Sequence, residues 1–554
     1  MAAIMYALPD LGQYCRSGLL FLASWALFII YRTLLVERDP NTLPYFDRPP
    51  GKTGFSLRTY YRYYTDCGGL MREAYEKFLS KGKPVFIPGL GSRKELILPN
   101  TSMKWALAQP PHILNQRAGV LEQDCPKYLL GDDSFLTDPW QGLLIKAELQ
   151  PSLDHVCAVM NIELEAAFSD YFGNDTDTWR EIDLLSTVRK IIGRASSRFT
   201  VGEPLCRNEE YIKTTFDTVD QTHLETGITL LTPTLLQPIV GQFVSRRANA
   251  RFAKLAQMIK SEYEHRLAML QYPRGDPQIK DQEPSDYFQI MLRFAQRERP
   301  QDLASLETMT RRLFLANFGS MHRTSFQTAN MLLNIVDSDV KYNTIDMLRE
   351  EISRVLTQAG TEASDMASWN RAKLGQLLRA DSVARETMRL NSFDNRGSVR
   401  KVLADGVITE DGLPLPRGTV LSFLGHPAQV DEDVYGDARK YDPFRFSRPH
   451  EATMAPASKA EGEEGKVAPS VPGLGAQSFV TTSPYHLPFG HGRTACPGRF
   501  LVDLELKMIV AYAVTRYDLE FPAAYGGKRP RPVWLCESMV PPKGAKIRVK
   551  RRKV

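Results

Sequence analysis

The sequence predicts a mainly helical body carrying small β-sheets, and three patterns support this. From Leu303 to about Val336 the chain holds no proline, and Phe314, Phe318, Met321, Ser325, Leu332 and Val336 fall along one side at helical spacing. A second helical stripe follows Pro497: Phe500, Leu501, Val502, Leu504, Met508, Ile509, Ala511 and Tyr512. Strand patterns are short by comparison. Lys83–Pro88 with Lys94–Pro99 reads as one hairpin, and Gly406–Thr409 with Gly418–Leu421, turning at Asp411-Gly412, as another. A chain of 554 residues would ordinarily divide into roughly three or four domains. No linker divides this one, so residues 53–554 are expected to fold as a single unit.

Ahead of that unit, residues 17–36 form an apolar run interrupted by Arg32, close to the roughly 20 residues a bilayer requires. No small-x-small cleavage site follows, which favours an anchor over a secretory leader. More cationic residues follow the run (Arg32, Arg38, Arg48, Lys52) than precede it (Arg16), so the body is expected in the cytosol and residues 1–16 on the far side. Residues 37–52, ending in Pro49-Pro50-Gly51, read as a stiff hinge. Seven cysteines without a pairing pattern fit a reducing compartment, where the sequons at Asn100 and Asn174 stay unused.

Later in the chain, Glu386 and Arg389 are three residues apart on a predicted helix. Residues from about 450 to 478, rich in Pro, Gly, Ser, Ala and Glu, read as an exposed insertion. The C-terminal Lys546, Arg548, Lys550, Arg551, Arg552 and Lys553 make a basic tail in a chain of net charge +6, either solvated or suited to an acidic partner or anionic lipid. No recognised module accompanies that charge, which excludes a nucleic-acid-binding class.

Cys496, in Pro488-Phe489-Gly490-His491-Gly492-Arg493-Thr494-Ala495-Cys496-Pro497-Gly498-Arg499-Phe500, carries the chemistry. Pro497 suits the first turn of a helix. The cysteine then lies at a helix N-terminus, where free N–H groups and the dipole stabilise a thiolate. Gly490, Gly492 and Gly498 allow a tight loop under a flat ligand while Phe489 shields the sulfur. A cysteine taken alone reads more readily as a small buried hydrophobe. The phenylalanine, glycines and proline at fixed offsets point instead to a metal thiolate. Structural zinc is excluded by spacing, since only His486 and His491 lie near.

This segment resembles the heme-binding loop of the cytochrome P450 family, Phe-x-x-Gly-x-x-x-Cys-x-Gly, here Phe489, Gly492, Cys496 and Gly498. The resemblance implies a triangular helical prism around heme b (iron protoporphyrin IX), with Cys496 as the axial iron ligand. One position departs, because Thr494 stands where the family usually places a basic residue. Glu386, Arg389 and Arg445 of Tyr441-Asp442-Pro443-Phe444-Arg445-Phe446 match the family's Glu-Arg-Arg network, a structural lock on the heme-side core. Lys146 and Arg400 lie where the family places heme-propionate partners. Residues Arg194 to Tyr211 are similar to a stretch common in fungal members. Residues Gly227 to Phe243 resemble the family's membrane-facing entrance loop, with a buried helix pair as the other reading of the same pattern.

The middle of the long helix, Phe318-Gly319-Ser320-Met321-His322-Arg323-Thr324-Ser325, resembles the family's oxygen-binding groove. Gly319 and Ser320 suit a local opening of the backbone bonds. His322 takes the acid position and Arg323 that of the usual Thr, whose hydroxyl helps deliver protons to dioxygen in the family. The candidate catalytic residues are therefore Ser320, His322 and Thr324, with Ser320 or Thr324 taking over the relay, or the reaction depending less on it. For Arg323 a protein carboxylate or a substrate carboxylate is the expected partner. The resemblance further implies NADPH and flavins acting through a separate NADPH-cytochrome P450 reductase, cytochrome b5 as a second donor, and a single-pass endoplasmic-reticulum anchor. A lipophilic terpenoid, polyketide or polyketide-peptide hybrid would bind between residues 318–325 and the loop Asn391 to Val399. Two rivals stand beside a monooxygenase: a heme-thiolate enzyme of the same fold doing ring expansion, isomerisation or desaturation, and a non-catalytic heme- or lipid-binding membrane protein.

Overall fold

A computed structural model describes residues 43–49, 52, 54–91, 93–124, 126–232, 236–358, 368–454 and 478–553. The 17–36 run, residues 1–16, most of the 37–52 hinge and most of the 450–478 insertion lie outside the described residues. No helix among the described residues is long and apolar enough to cross a membrane.

The helices of eight residues or more run α1 (Leu57–Thr65), α2 (Cys67–Lys77), α3 (Gln116–Asp124), α4 (Trp140–Phe172), α5 (Leu184–Thr200), α6 (Glu209–Leu231) and α7 (Gln237–Met269). They continue with α8 (Tyr287–Glu298), α9 (Leu306–Tyr342), α10 (Thr344–Gln358), α11 (Leu378–Leu390), α12 (Ser447–Met454) and α13 (Arg499–Arg516). Strands β1 (Val85–Gly89), β2 (Arg93–Ile97), β3 (Leu114–Asn115), β5 (Arg396–Val402) and β8 (Val420–Leu424) build one sheet in the order β1-β2-β8-β5-β3. Three smaller sheets pair β6 (Val407–Ile408) with β7 (Pro414–Leu415), join β4 (Arg180–Asp183), β12 (Lys546–Arg551) and β9 (Tyr517–Glu520), and pair β10 (Val533–Leu535) with β11 (Ser538–Val540).

Helix α9 is the axis, packing on α4, α5, α6, α7, α10, α11 and α13. Met321, Ala329, Leu332, Leu333 and Ile335 are buried in the main core, each large side chain contributing about 1.5–3 kcal/mol by leaving water. The helix begins at Leu306 and not at Leu303, because the Ser305 hydroxyl accepts the Thr308 N–H at 3.1 Å and caps it. Pro300–Leu303 form a separate short turn. At the other end it runs to Tyr342, past Val336, and stops where Asn343 adopts left-handed φ 49°.

The first hairpin forms with Val85 opposite Ile97. The second closes differently from the sequence expectation: Val407 pairs with Leu415, and residues 418–421 leave for the large sheet. The Thr409 hydroxyl accepts the Leu413 N–H at 3.0 Å, so the turn closes early. Leu421, Phe423 and Leu424 are fully buried, which favours the inner strand β8 over an edge return. A bulge between Gly397 and Arg400 interrupts the β5–β8 register, with Ser398 at φ 56°.

Residues 227–243 connect two helices, with 233–235 outside the described residues. They end α6 at Leu231 and begin α7 at Gln237, leaving Leu236, Ile239 and Phe243 exposed. The start of the 450–478 stretch is helical, as the last turn of α12. Asn100 is buried, its amide donating to the carbonyls of Leu424 (3.0 Å) and Pro484 (2.6 Å), which leaves that sequon inaccessible. Cys67, Cys157, Cys206, Cys496 and Cys536 are free.

Candidate active site

The loop before α13 is closed by the Cys496 N–H donating to the Phe489 carbonyl at 2.8 Å. Gly490 (φ 67°) and Gly492 (φ 68°) supply the left-handed turns this needs, and a Cβ on Gly492 would stand 3.0 Å from Leu107. Phe489 packs on the main core and lies 6.0 Å from the Phe479 ring. Gly498 differs from its expected role: its φ is −76°, and it caps α13 while Pro497 lies just ahead of the helix. The geometry still serves the sulfur. Crowding by the protein raises the Cys496 thiol, while the N–H groups of Gly498 and Arg499 and the charges of Arg323 and Arg499 pull it down. By accessible area the residue is exposed, so the sulfur is ringed by protein yet open on one side.

Behind this loop, Glu386, Arg389 and Arg445 come together. Arg389 holds Glu386 in a two-pronged pair (2.7 and 2.8 Å), both fully buried, and Arg445 Nε adds a third bond at 3.1 Å. The Asp442 N–H reaches the same carboxylate at 3.1 Å. Arg389 spends its other hydrogens on the carbonyls of Gln429, Ala438 and Lys440, and Arg445 donates to those of Gly436, Asp437 and Lys440. Among the described residues Arg389 keeps no free donor for a ligand.

Across from the cysteine, α9 presents a different face. Ser320 and Arg323, three residues apart, and Gly319, next to Ser320 and four from Arg323, are exposed or half-exposed there, and a Cβ on Gly319 would meet nothing within 4 Å. Arg323 lies near enough to Cys496 for its charge to lower the thiol pKa. Its Nη1 donates to Asp394 at 2.6 Å, and its guanidinium stacks over Phe393 at 5.0 Å. Of the two expected partners, the protein carboxylate is present.

His322 and Thr324 are buried and off this face. His322 Nε2 lies 3.4 Å from Asp220 of α6, and its ring stacks on His223 at 4.5 Å. Burial lowers the His322 pKa, with Asp220 offsetting part of that. Burial alone would raise Asp220, but His322 and Arg189 hold it at about 2. Ser320 donates to the Asn317 carbonyl at 3.3 Å and shares the open face.

The bulge in β5 turns Arg400 inward. It is 4% exposed, and its only hydrogen bonds among the described residues go to the carbonyls of Ser398 and Val399 and to the Thr494 hydroxyl at 3.1 Å. Burial without a carboxylate lowers its pKa to about 10. A buried guanidinium without a counter-ion, reaching the loop of Cys496, fits a ligand acid such as a heme propionate. Lys146 is exposed on α4, and no hydrogen bond or ion pair joins it to the loop. A cleft of about 200 Å³ between α4, α8 and residues 274–285 contains none of these residues.

Asp394, Phe393, Asp220, His223 and Asp124 were not singled out by sequence. Asp220 and His223 were findable, being three apart on a threonine-rich helix; Asp394 needs the fold to meet Arg323.

The chain matches the family model for cytochrome P450 over residues 149–549. It is 46% identical over 525 residues to cytochrome P450 monooxygenase pbrC of Penicillium brasilianum, covering 95% of this chain and 94% of that protein. It is 45% identical over 539 residues to cytochrome P450 monooxygenase astC of Aspergillus terreus (96% and 97%). The same comparison with cytochrome P450 monooxygenase tenB of Beauveria bassiana gives 42% over 553 residues (99% and 99%). In fold it is similar to retinoic acid bound cyanobacterial CYP120A1, with a TM-score of 0.60 at 18% identity over 92% of this chain and 100% of that one.

Proposed function

The chain belongs to the cytochrome P450 family of monooxygenases, and from that premise we propose that it oxidises a lipophilic secondary metabolite at an endoplasmic-reticulum membrane. The substrate class is a terpenoid, polyketide or polyketide-peptide hybrid. When bound, heme b supplies oxygen activation, with electrons from NADPH arriving through the flavins of a separate reductase or through cytochrome b5.

The residues fit that group. Cys496 would hold the iron as a thiolate, its charge stabilised by the Gly498 and Arg499 N–H groups. Phe489 shields the sulfur, and Gly492 and Gly498 keep the loop thin. Arg400 would take a propionate, assisted by the Thr494 hydroxyl it already holds, which accounts for a hydroxyl where the family usually has a base. Lys146 is the second candidate for that role. Ser320, on the open face, is positioned to hold a proton near the reacting centre, whereas His322 and Thr324 act through packing. Exposed Leu236, Ile239 and Phe243, with Arg246 and Arg247 beside them, support contact with a membrane surface, as does the 17–36 run.

The observation that carries this reading is the Cys496 loop, with a thiol open on one side and facing α9 across the space that Arg400 borders. Its test is the reduced carbon monoxide difference spectrum of the heme-loaded protein beside Cys496→Ala. A red-shifted Soret band in the wild type and none in the variant is expected. Absence of the band in loaded, folded wild type refutes the thiolate reading and favours a binding protein.

Arg323 on the open face is the specific observation behind a second reading, in which the same fold carries out ring expansion, isomerisation or desaturation. Substrate-dependent NADPH use with one oxygen atom inserted per turnover counts against that alternative.

A further inference from the structure

Building on the heme-thiolate reading, we propose that Arg323 is an anion anchor, and that the substrate is an apolar skeleton carrying one ionised acid, a carboxylate or an enolised 1,3-dicarbonyl, that pairs with its free guanidinium edge.

Three features of Arg323 support this. Its side chain is 54% exposed, and it lies near enough to Cys496 for its charge to act on that thiol, so its open side borders the space next to the cysteine. It is also held in place: Asp394 takes Nη1 at 2.6 Å and Phe393 lies under the guanidinium plane at 5.0 Å. A stacked, paired guanidinium loses little freedom on accepting another ligand.

The third feature is the edge that remains. Nε and Nη2 of Arg323 have no hydrogen-bond partner in the described residues, whereas Arg389 uses all three nitrogens. Nε and Nη2 form the fork that accepts two oxygens of one acid. The walls beside it, Phe326 and Phe393, suit hydrocarbon and lower the local dielectric, which strengthens the pair.

Asp124, at the end of α3, also feels the Arg323 charge. By accessible area it is exposed, yet the protein crowds it enough to raise its carboxyl to about 6, with Arg323 and Arg93 pulling it down and Asp394 pushing it up. An incoming anion would push it further toward the protonated form, in which it donates a hydrogen bond instead of repelling.

Heme-loaded wild type and Arg323→Thr, each first checked for the thiolate carbon monoxide band, are titrated with dodecanoate, with an enolised acyl diketone of matched chain length, and with dodecanol. The readout is the substrate-induced shift of the ferric Soret band and its dissociation constant. Wild type is expected to bind at least one acid about tenfold or more tighter than the alcohol, since a hydrogen-bonded charge pair contributes roughly 1.5–3 kcal/mol. Arg323→Thr loses that preference and Arg323→Lys keeps part of it. Whichever acid binds tighter identifies the headgroup. If Arg323→Thr fails to load heme, Arg323→Gln serves in its place. Equal binding of acids and alcohol to wild type, or a preference retained without the guanidinium, overturns the anchor alone. A missing thiolate band overturns the heme reading and the anchor with it.

Discussion

The side of the molecule behind Cys496 and the side of α9 facing it treat polar groups in opposite ways. Behind the cysteine, Glu386 and Arg389 are fully buried and tied to each other, to Arg445 and to nearby carbonyls. On the α9 side, Arg323 keeps an open edge and Ser320 makes a single long bond. The difference follows from what each side must do. A buried charge holds geometry only when every partner is filled. A group that receives a ligand must keep a donor or acceptor free, and accepts the desolvation cost until binding offsets it.

The strongest way to break the contrast is Glu386→Gln. It removes the charge that two guanidinium groups share, leaving Arg389 fully buried without a counter-ion. A loss of about 3–5 kcal/mol in urea unfolding is expected, with heme content falling alongside. A loss below about 1 kcal/mol would mean that the carbonyls alone hold the arginines.

Arg400 stands at the border between the two sides, buried like the first but without a carboxylate partner among the described residues. Arg400→Gln should speed heme transfer to a scavenging apoprotein about tenfold or more, the equivalent of one charge-assisted hydrogen bond of roughly 1.5–3 kcal/mol. Exposed Lys146, replaced by Gln, should change the rate less. An unchanged rate in Arg400→Gln would remove it from the heme's partners.

Glu505 on α13 is the exception behind the cysteine: it is buried, and among the described residues only the Ser196 hydroxyl donates to it, at 3.0 Å. Burial raises its pKa from 4.5 to about 8, the hydroxyl offsetting part of this. The fold therefore favours the protonated acid. Its contribution is fully present below about 4.5, falls as pH rises, and is lost on passing about 8. Thermal stability of wild type should drop across that window relative to Glu505→Gln. Parallel pH profiles for the two proteins would show that the carboxyl is not held protonated.

How much of this was legible in the sequence depended on whether a group's partners were local. The Cys496 loop was readable because Phe489, Gly492 and Gly498 stand at fixed offsets within ten residues, though the helix starts at Arg499 and not at Pro497. Glu386 and Arg389 share a helix turn, and Arg445 follows in a recognisable run. The second hairpin was misread because a two-residue pairing leaves almost no periodic signal, and the buried residues of β8 belonged to another sheet. Arg323 was readable as a departure, but its partner Asp394 is 71 positions away. That ion pair exists only once α9 and the loop after α11 are folded together.

The finest test separates two α9 residues that the sequence placed in one role. Ser320 lies on the open face, while His322 is buried against Asp220 and His223. Ser320→Ala removes a hydroxyl worth about 1 kcal/mol, which corresponds to roughly fivefold in a step it assists. It should therefore lower the fraction of NADPH electrons recovered in product without changing the melting temperature. His322→Gln should do the reverse, costing about 1 kcal/mol of stability through the weakened contact with half-exposed Asp220 and leaving that fraction intact. If His322→Gln uncouples NADPH use while Ser320→Ala does not, proton delivery reaches the site through the α6–α9 contact, and the closed and open sides are joined by a path that the exposed face of α9 does not reveal.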